Sequence, residues 1–147
     1  LVHRGMEMLI RIYAHPQPVI AACDGHAIGM GAFLLLAADV RIGSATEYNI
    51  TLPETAIGMP FTPVLMTLIK ERLSSRHRTI AVLHSKPYGA HQAVDAGCLD
   101  SVTEQGSLMD ECQELAESLG QLPGETYAAN KEDLRSQSLK VMRAAIA

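Results

Sequence analysis

No apolar run in this sequence is long enough to cross a bilayer, so no membrane-spanning helix is expected. Cysteine is scarce: the three thiols are odd in number and lack metal-like spacing, which leaves a reduced, cytoplasmic setting as the expectation. Positive charge is not in surplus. A net charge of −4 and a pI near 5.8 argue against nucleic acid as the main partner. The chain has no internal repeat and no low-complexity tract. Its six histidines are scattered, with no pair at metal-ligand helical spacing beside a carboxylate, so no metal site is expected.

What is present is a chain of 147 residues, 48% of them apolar, enough for one domain and one core. Its organising stretch is PVIAACDGHAIGMGAFLLLAAD, Pro18 to Asp39. Val19 to Cys23 reads as a short buried strand, and Ala32 to Ala38 as an apolar helix. Between them, Gly25, Gly29 and Gly31 permit a sharp turn and a close approach of ligand to backbone. The turn empties into a helix N-terminus, where unpaired amide N–H groups and the helix dipole favour negative charge. A dinucleotide fingerprint needs a third glycine near Leu34, and a phosphate loop ends in Gly-Lys-Ser/Thr; neither is found. An oxyanion hole is the remaining chemical meaning. The pattern alone fits equally a tight strand-to-helix turn that binds nothing.

Elsewhere the periodicities are plain. Met6, Leu9, Ile10 and Tyr13 share a face of an amphipathic N-terminal helix, which His15-Pro16-Gln17-Pro18 ends. Asp39 to Gly43 and Tyr48 to Thr51 read as strands, and Pro53-Glu54-Thr55 as a turn. Pro63 to Leu73 is helical, and Ser74 or Ser75 caps a further helix carrying Ile80, Val82 and Leu83. A helix over Ala90 to Ala96 closes on Gly97, and Leu99 to Val102 is extended. Gly106 to Leu119 is an amphipathic helix with Leu108, Met109, Cys112, Leu115 and Leu119 on one side. One last helix runs from about Glu125 to the end. Strands early and helices late predict a parallel α/β core, residues 1–103, with an appended helical region, residues 104–147.

The segment Pro-Val-Ile-Ala-Ala-x-x-Gly-x-Ala-x-Gly-x-Gly, its apolar helix and Ala38-Asp39-Val40-Arg41-Ile42 resemble the crotonase superfamily, the enoyl-CoA hydratases and isomerases. The likeness continues through Leu52-Pro53-Glu54, Ile57-Gly58 and Ala90 to Val102, and more weakly to Lys131. It implies a crotonase-like fold of spiral ββα units, lacking its N-terminal strands, with C-terminal helices that form trimers or pairs of trimers. It also implies that the chain is the C-terminal portion of a longer protein, whose preceding segment carries the other oxyanion donor. The substrate implied is an acyl-CoA thioester, with no separate cofactor.

Carried over residue by residue, the resemblance makes the Met30 N–H one arm of the oxyanion hole and Glu54 the proton carrier. Ala27, Ile28, Gly29 and Gly31 shape the turn around the substrate, and Lys131 approaches the CoA phosphates. Each has a blander reading: core packing for Met30, a solvated turn for Glu54, a polar helix face for Lys131. For Glu54 the apolar neighbours Leu52, Pro53, Ala56 and Ile57 favour desolvation and a raised pKa. Phe33, in the same substrate-binding stretch, is a departure, because hydratases of the family carry a second glutamate there. A phenylalanine can neither orient water nor accept a proton. Together with Glu54-Thr-x-x-Gly58-Met59, this points to a 3,2-enoyl-CoA isomerase rather than a hydratase. Met59, Phe61, Val64, Leu65 and Met66 could line an acyl pocket or form a plain core face. Lys70, Arg72, Arg76, His77 and Arg78, interleaved with Glu71, read as a solvated basic face. His26 is explained by turn exposure and Cys23 by burial in a strand.

Overall fold

The computed structural model describes residues 1–147. Helix α1 (Val2–Tyr13) buries the four residues of its apolar face, Met6, Leu9, Ile10 and Tyr13. Strand β1 (Ile20–Cys23) follows the prolines, and β2 (Ala27–Ile28) is a short strand within what the sequence reads as turn. Helix α2 (Met30–Ala37) starts two residues earlier than its sequence predicts, because Gly29 takes a φ of 58° and sends the chain directly into helix. Its Ala32, Phe33, Leu35, Leu36 and Ala37 are all buried, as expected of a helix apolar on most sides. Strands β3 (Val40–Ser44) and β4 (Ile50–Thr51) come next.

Two small sheets result, both parallel. One has the order β1-β3-β5, where β5 is Ser101–Thr103, with Ile20 opposite Val40 and Ile42 opposite Ser101. The other pairs β2 with β4, Ala27 opposite Ile50 and Ile28 opposite Thr51. That second pairing positions the site, since it sets Leu52-Pro53-Glu54 beside the glycine turn.

Helix α3 (Pro63–Arg72) has proline in its first turn and a Thr62 cap whose hydroxyl accepts the Leu65 N–H at 3.3 Å. The next helix is not capped by Ser74 or Ser75: it is a single π-helical turn, Thr79–Leu83. Helix α4 (Ala90–Ala96) does end on Gly97, at φ 94°. A Cβ there would stand 2.5 Å from the Arg72 carbonyl oxygen, so the position admits glycine on two counts. Helix α5 (Leu108–Gly120) lays Leu108 and Cys112 on Ile42, covering one face of the larger sheet, while Met109 points to solvent. The single C-terminal helix of the sequence reading is two: α6 (Gly124–Leu134) and α7 (Ser136–Ile146), broken at Arg135.

The main core joins α1 through α4, and α7 adds Leu139 and Met142 to it, so the helices beyond residue 103 fold back on the α/β part. Serine 138 reinforces this by donating to Glu71 of α3 at 2.6 Å. Arg135 is buried against Tyr13, and Arg72 is half-buried, donating to the Ala38 and Asp39 carbonyls rather than lying on a solvated basic face. No helix is long and apolar enough to cross a membrane.

Candidate active site

The site is built where β2 meets α2. The Ala27 N–H donates to Asn49 and the Gly29 N–H to Thr51, both at 3.0 Å, so the amides that face β4 are consumed up to Gly29. Beyond it the supply of acceptors stops. The Gly29 carbonyl takes the Phe33 N–H at 3.1 Å as the first helical bond, and no acceptor of the chain meets the N–H groups of Met30, Gly31 or Ala32. These are donors at the positive end of a helix, beside a backbone stripped of side chain at Gly29 and Gly31.

Glu54 faces them. Its Oε1 lies 3.6 Å from where a Gly29 Cβ would be, and the residue is only 7% exposed. Its Oε2 is buried with no hydrogen-bond partner. Burial pushes the Glu54 carboxyl above the ordinary glutamate value, opposed only by a bond from its own backbone. The solvated-turn reading of Glu54 is therefore set aside: the side chain is buried and one carboxyl oxygen has no partner, a costly arrangement for a structural residue and a useful one for proton transfer.

Around this pair the surface is apolar. Ile28, Met30 and Leu34 are exposed on the α2 side, Ile57 and Met59 on the Glu54 side. Met30 is not core: its methyl extends toward α1, where a Cβ on Gly5 would come within 2.9 Å of it. Ala27 is buried, and Gly31 sits over it, with 3.9 Å between an added Cβ and that of Ala27. Phe33, one turn into α2, is 1% exposed and meets Phe61 edge-on at 6.2 Å between ring centres. Val64 and Leu65 are buried core residues, leaving Met59, Phe61 and Met66 as the exposed or half-buried members of the suspected acyl-pocket set.

Lys131 does not belong to the site. Its ammonium donates to the His15 carbonyl at 2.6 Å, the Gln17 carbonyl at 3.1 Å and the Asp39 carboxylate at 2.7 Å, which uses all three protons. With a side chain 6% exposed, it has nothing left for a phosphate. Asp39 is the hub that the sequence leaves unmarked. It also accepts from Arg135 at 2.9 Å, Tyr127 at 2.6 Å and the Val19 N–H at 3.2 Å. A lysine and an arginine four residues apart at the end of α6, with an aspartate closing an apolar helix, are the sequence signal for this cluster. His26 and Cys23 have local roles: the imidazole accepts the Asn49 N–H at 3.0 Å, and the thiol donates to the Gly25 carbonyl.

The family model for enoyl-CoA hydratase/isomerase matches residues 2–147. The chain belongs to the enoyl-CoA hydratase/isomerase family. Among its relatives, carnitinyl-CoA dehydratase of Escherichia coli K12 is 33% identical over 134 residues, which is 91% of this chain and 51% of that protein. An enoyl-CoA isomerase/hydratase of Mycosarcoma maydis is 33% identical over 113 residues, 76% of this chain and 41% of its own. Solved structures agree on the fold. An enoyl-CoA hydratase/isomerase family protein of Pseudomonas syringae superposes with a TM-score of 0.95 at 34% identity, over 99% of this chain and 63% of that one. An enoyl-CoA isomerase of Mycobacterium tuberculosis gives 0.93 at 34% identity, over 99% and 64%. The chain thus spans about half the length of the sequence relatives it matches. Their names divide among dehydratase, hydratase and isomerase, so the choice of reaction falls to the residues of the site.

Proposed function

We propose that the full-length protein moves the double bond of a 3-enoyl-CoA to the 2-trans position, using Glu54 as its single proton carrier. The ionised carboxylate removes a proton from C2, and charge develops on the thioester oxygen. The Met30 N–H, aided by the α2 dipole, stabilises that oxygen, with the other donor expected from the segment that the family places ahead of this chain. Glu54 then returns the proton at C4 and is ionised again. No cofactor enters the balance, since CoA arrives as part of the substrate. The observation that carries this reading is the pairing of a buried Glu54, one carboxyl oxygen of which has no partner, with a buried phenylalanine at the position implied for a second acid. Exposed Leu134, Val141 and Met109 on the C-terminal helices, and Leu122 between α5 and α6, suit the trimer or hexamer that the resemblance implies.

A second reading, addition or removal of water, is favoured by the name of the dehydratase relative. Label placement separates the two. With 3-enoyl-CoA deuterated at C2, an isomerase with one base delivers part of the deuterium to C4. A 3-hydroxyacyl product formed from 2-enoyl-CoA would replace isomerisation by hydration, and acyl-CoA binding without turnover would leave a binding protein.

A further inference from the structure

Glu54 is buried, yet residues 55–60 that follow it are all exposed. Within the loop the Met59 N–H reaches the Glu54 carbonyl at 2.8 Å and the Gly58 N–H the Thr55 carbonyl at 3.2 Å. Apart from the Ile57 N–H, which donates to the adjoining Pro53 carbonyl at 3.1 Å, two hydrogen bonds of residues 54–60 leave the loop, and they end on the segment of the π-helical turn. The Thr55 hydroxyl donates to the Val82 carbonyl at 2.7 Å, and the Ala56 N–H donates to the Ser85 hydroxyl at 3.1 Å.

Both acceptors are available for local chemical reasons. In the π turn the His84 N–H goes to Thr79 and the Lys86 N–H to Ile80, both at 3.2 Å. A bond onto Val82 with the five-residue span of His84 to Thr79 would need the N–H of residue 87, a proline, which has none. Val82 is buried, so its carbonyl needs a partner from elsewhere, and Thr55 supplies one. Ser85 has a φ of 51°, the one residue other than glycine in the left-handed region. Glycine would adopt that backbone more readily, but it would offer the loop no acceptor.

We propose that Ser85, together with the Val82 carbonyl, is a positioning residue that clamps the loop from its far side and so holds the Glu54 carboxyl against the Gly29–Met30 turn. The inference rests on reading Glu54 as the proton carrier. Ser85 acts through the loop and makes no hydrogen bond to Glu54 or to the turn.

Ser85→Gly, made in the full-length protein, separates this role from a structural one, because it relaxes the backbone while deleting the acceptor. The melting temperature is expected to hold or rise, while kcat falls roughly 10- to 100-fold with little change in KM. Ser85→Asn, which tolerates the left-handed region and can accept the Ala56 N–H, should recover most of the loss. A Ser85→Gly protein with wild-type kcat overturns the proposal. Should Glu54→Gln turn over as well as wild type, it is the reading of Glu54 that fails. The clamp is then judged by hydrogen exchange of residues 54–59, expected about five- to tenfold faster in Ser85→Gly. Unchanged exchange overturns it.

Discussion

At the scale of single residues, Glu54 carries opposed demands. Its folded carboxyl holds a proton more tightly than the unfolded one, so stability falls as pH rises through the interval between the ordinary glutamate value and the raised one. Activity runs the other way, because only the carboxylate can take a proton from substrate. The Glu54→Gln variant is therefore expected to be more stable than wild type at neutral pH, on the order of 1 kcal/mol in urea denaturation. It should also lose that part of the pH dependence of stability. Equal stability at every pH would mean that the carboxyl is not held dry. The sequence shows why this residue stands out, since Leu52, Pro53, Ala56 and Ile57 surround it. It does not show the burial itself, because Ala56 and Ile57 are in fact exposed and the covering comes from the β2 and β4 pairing. Lys131 makes the converse case. A lysine on a mostly polar helix carries no local mark of its three acceptors, which come from residues 15, 17 and 39.

Among the elements, helices and strands with strong periodicity are legible, and the joints between them are not. α1, α3 and α4 fall within a residue or so of where their apolar spacing and caps put them. The break between α6 and α7 is hidden because no proline or glycine marks Arg135; its side chain leaves the helix pattern to reach Tyr13 and Asp39. Burial alone would raise the Asp39 carboxyl, but the Lys131 and Tyr127 hydrogen bonds, with the charges of Lys131 and Arg135, hold it below the ordinary aspartate value. Such a group stabilises the fold above its unfolded pKa, and that contribution fades as pH falls through the lowered folded value. Asp39→Asn leaves Lys131 and Arg135 buried without a counter-charge and is expected to cost about 3–5 kcal/mol. Denaturation at pH 7 and near pH 3 checks it, with the difference from wild type shrinking at the lower pH.

For the molecule as a whole, the parallel α/β class follows from the order of strands and helices, whereas the split into two small sheets does not. A two-residue strand such as β2 lacks enough sequence to show a period. The apolar residues left open on the C-terminal helices, Leu134 at 85% exposure foremost, are more than chance scatter requires. Light scattering of the full-length protein is expected to give a mass of three or six chains, and Leu134→Glu to shift it toward smaller species. A monomer would return those side chains to ordinary surface.

The central claim is that one carboxylate facing one helix terminus shifts a double bond. Its most direct test incubates the full-length protein and its Glu54→Gln variant with a 3-enoyl-CoA and follows the ultraviolet absorbance of the conjugated 2-enoyl product. Turnover by the wild type, lowered roughly 10²- to 10⁴-fold by the substitution with binding intact, is the predicted result. No conjugated product from either protein, with acyl-CoA still bound, would contradict it.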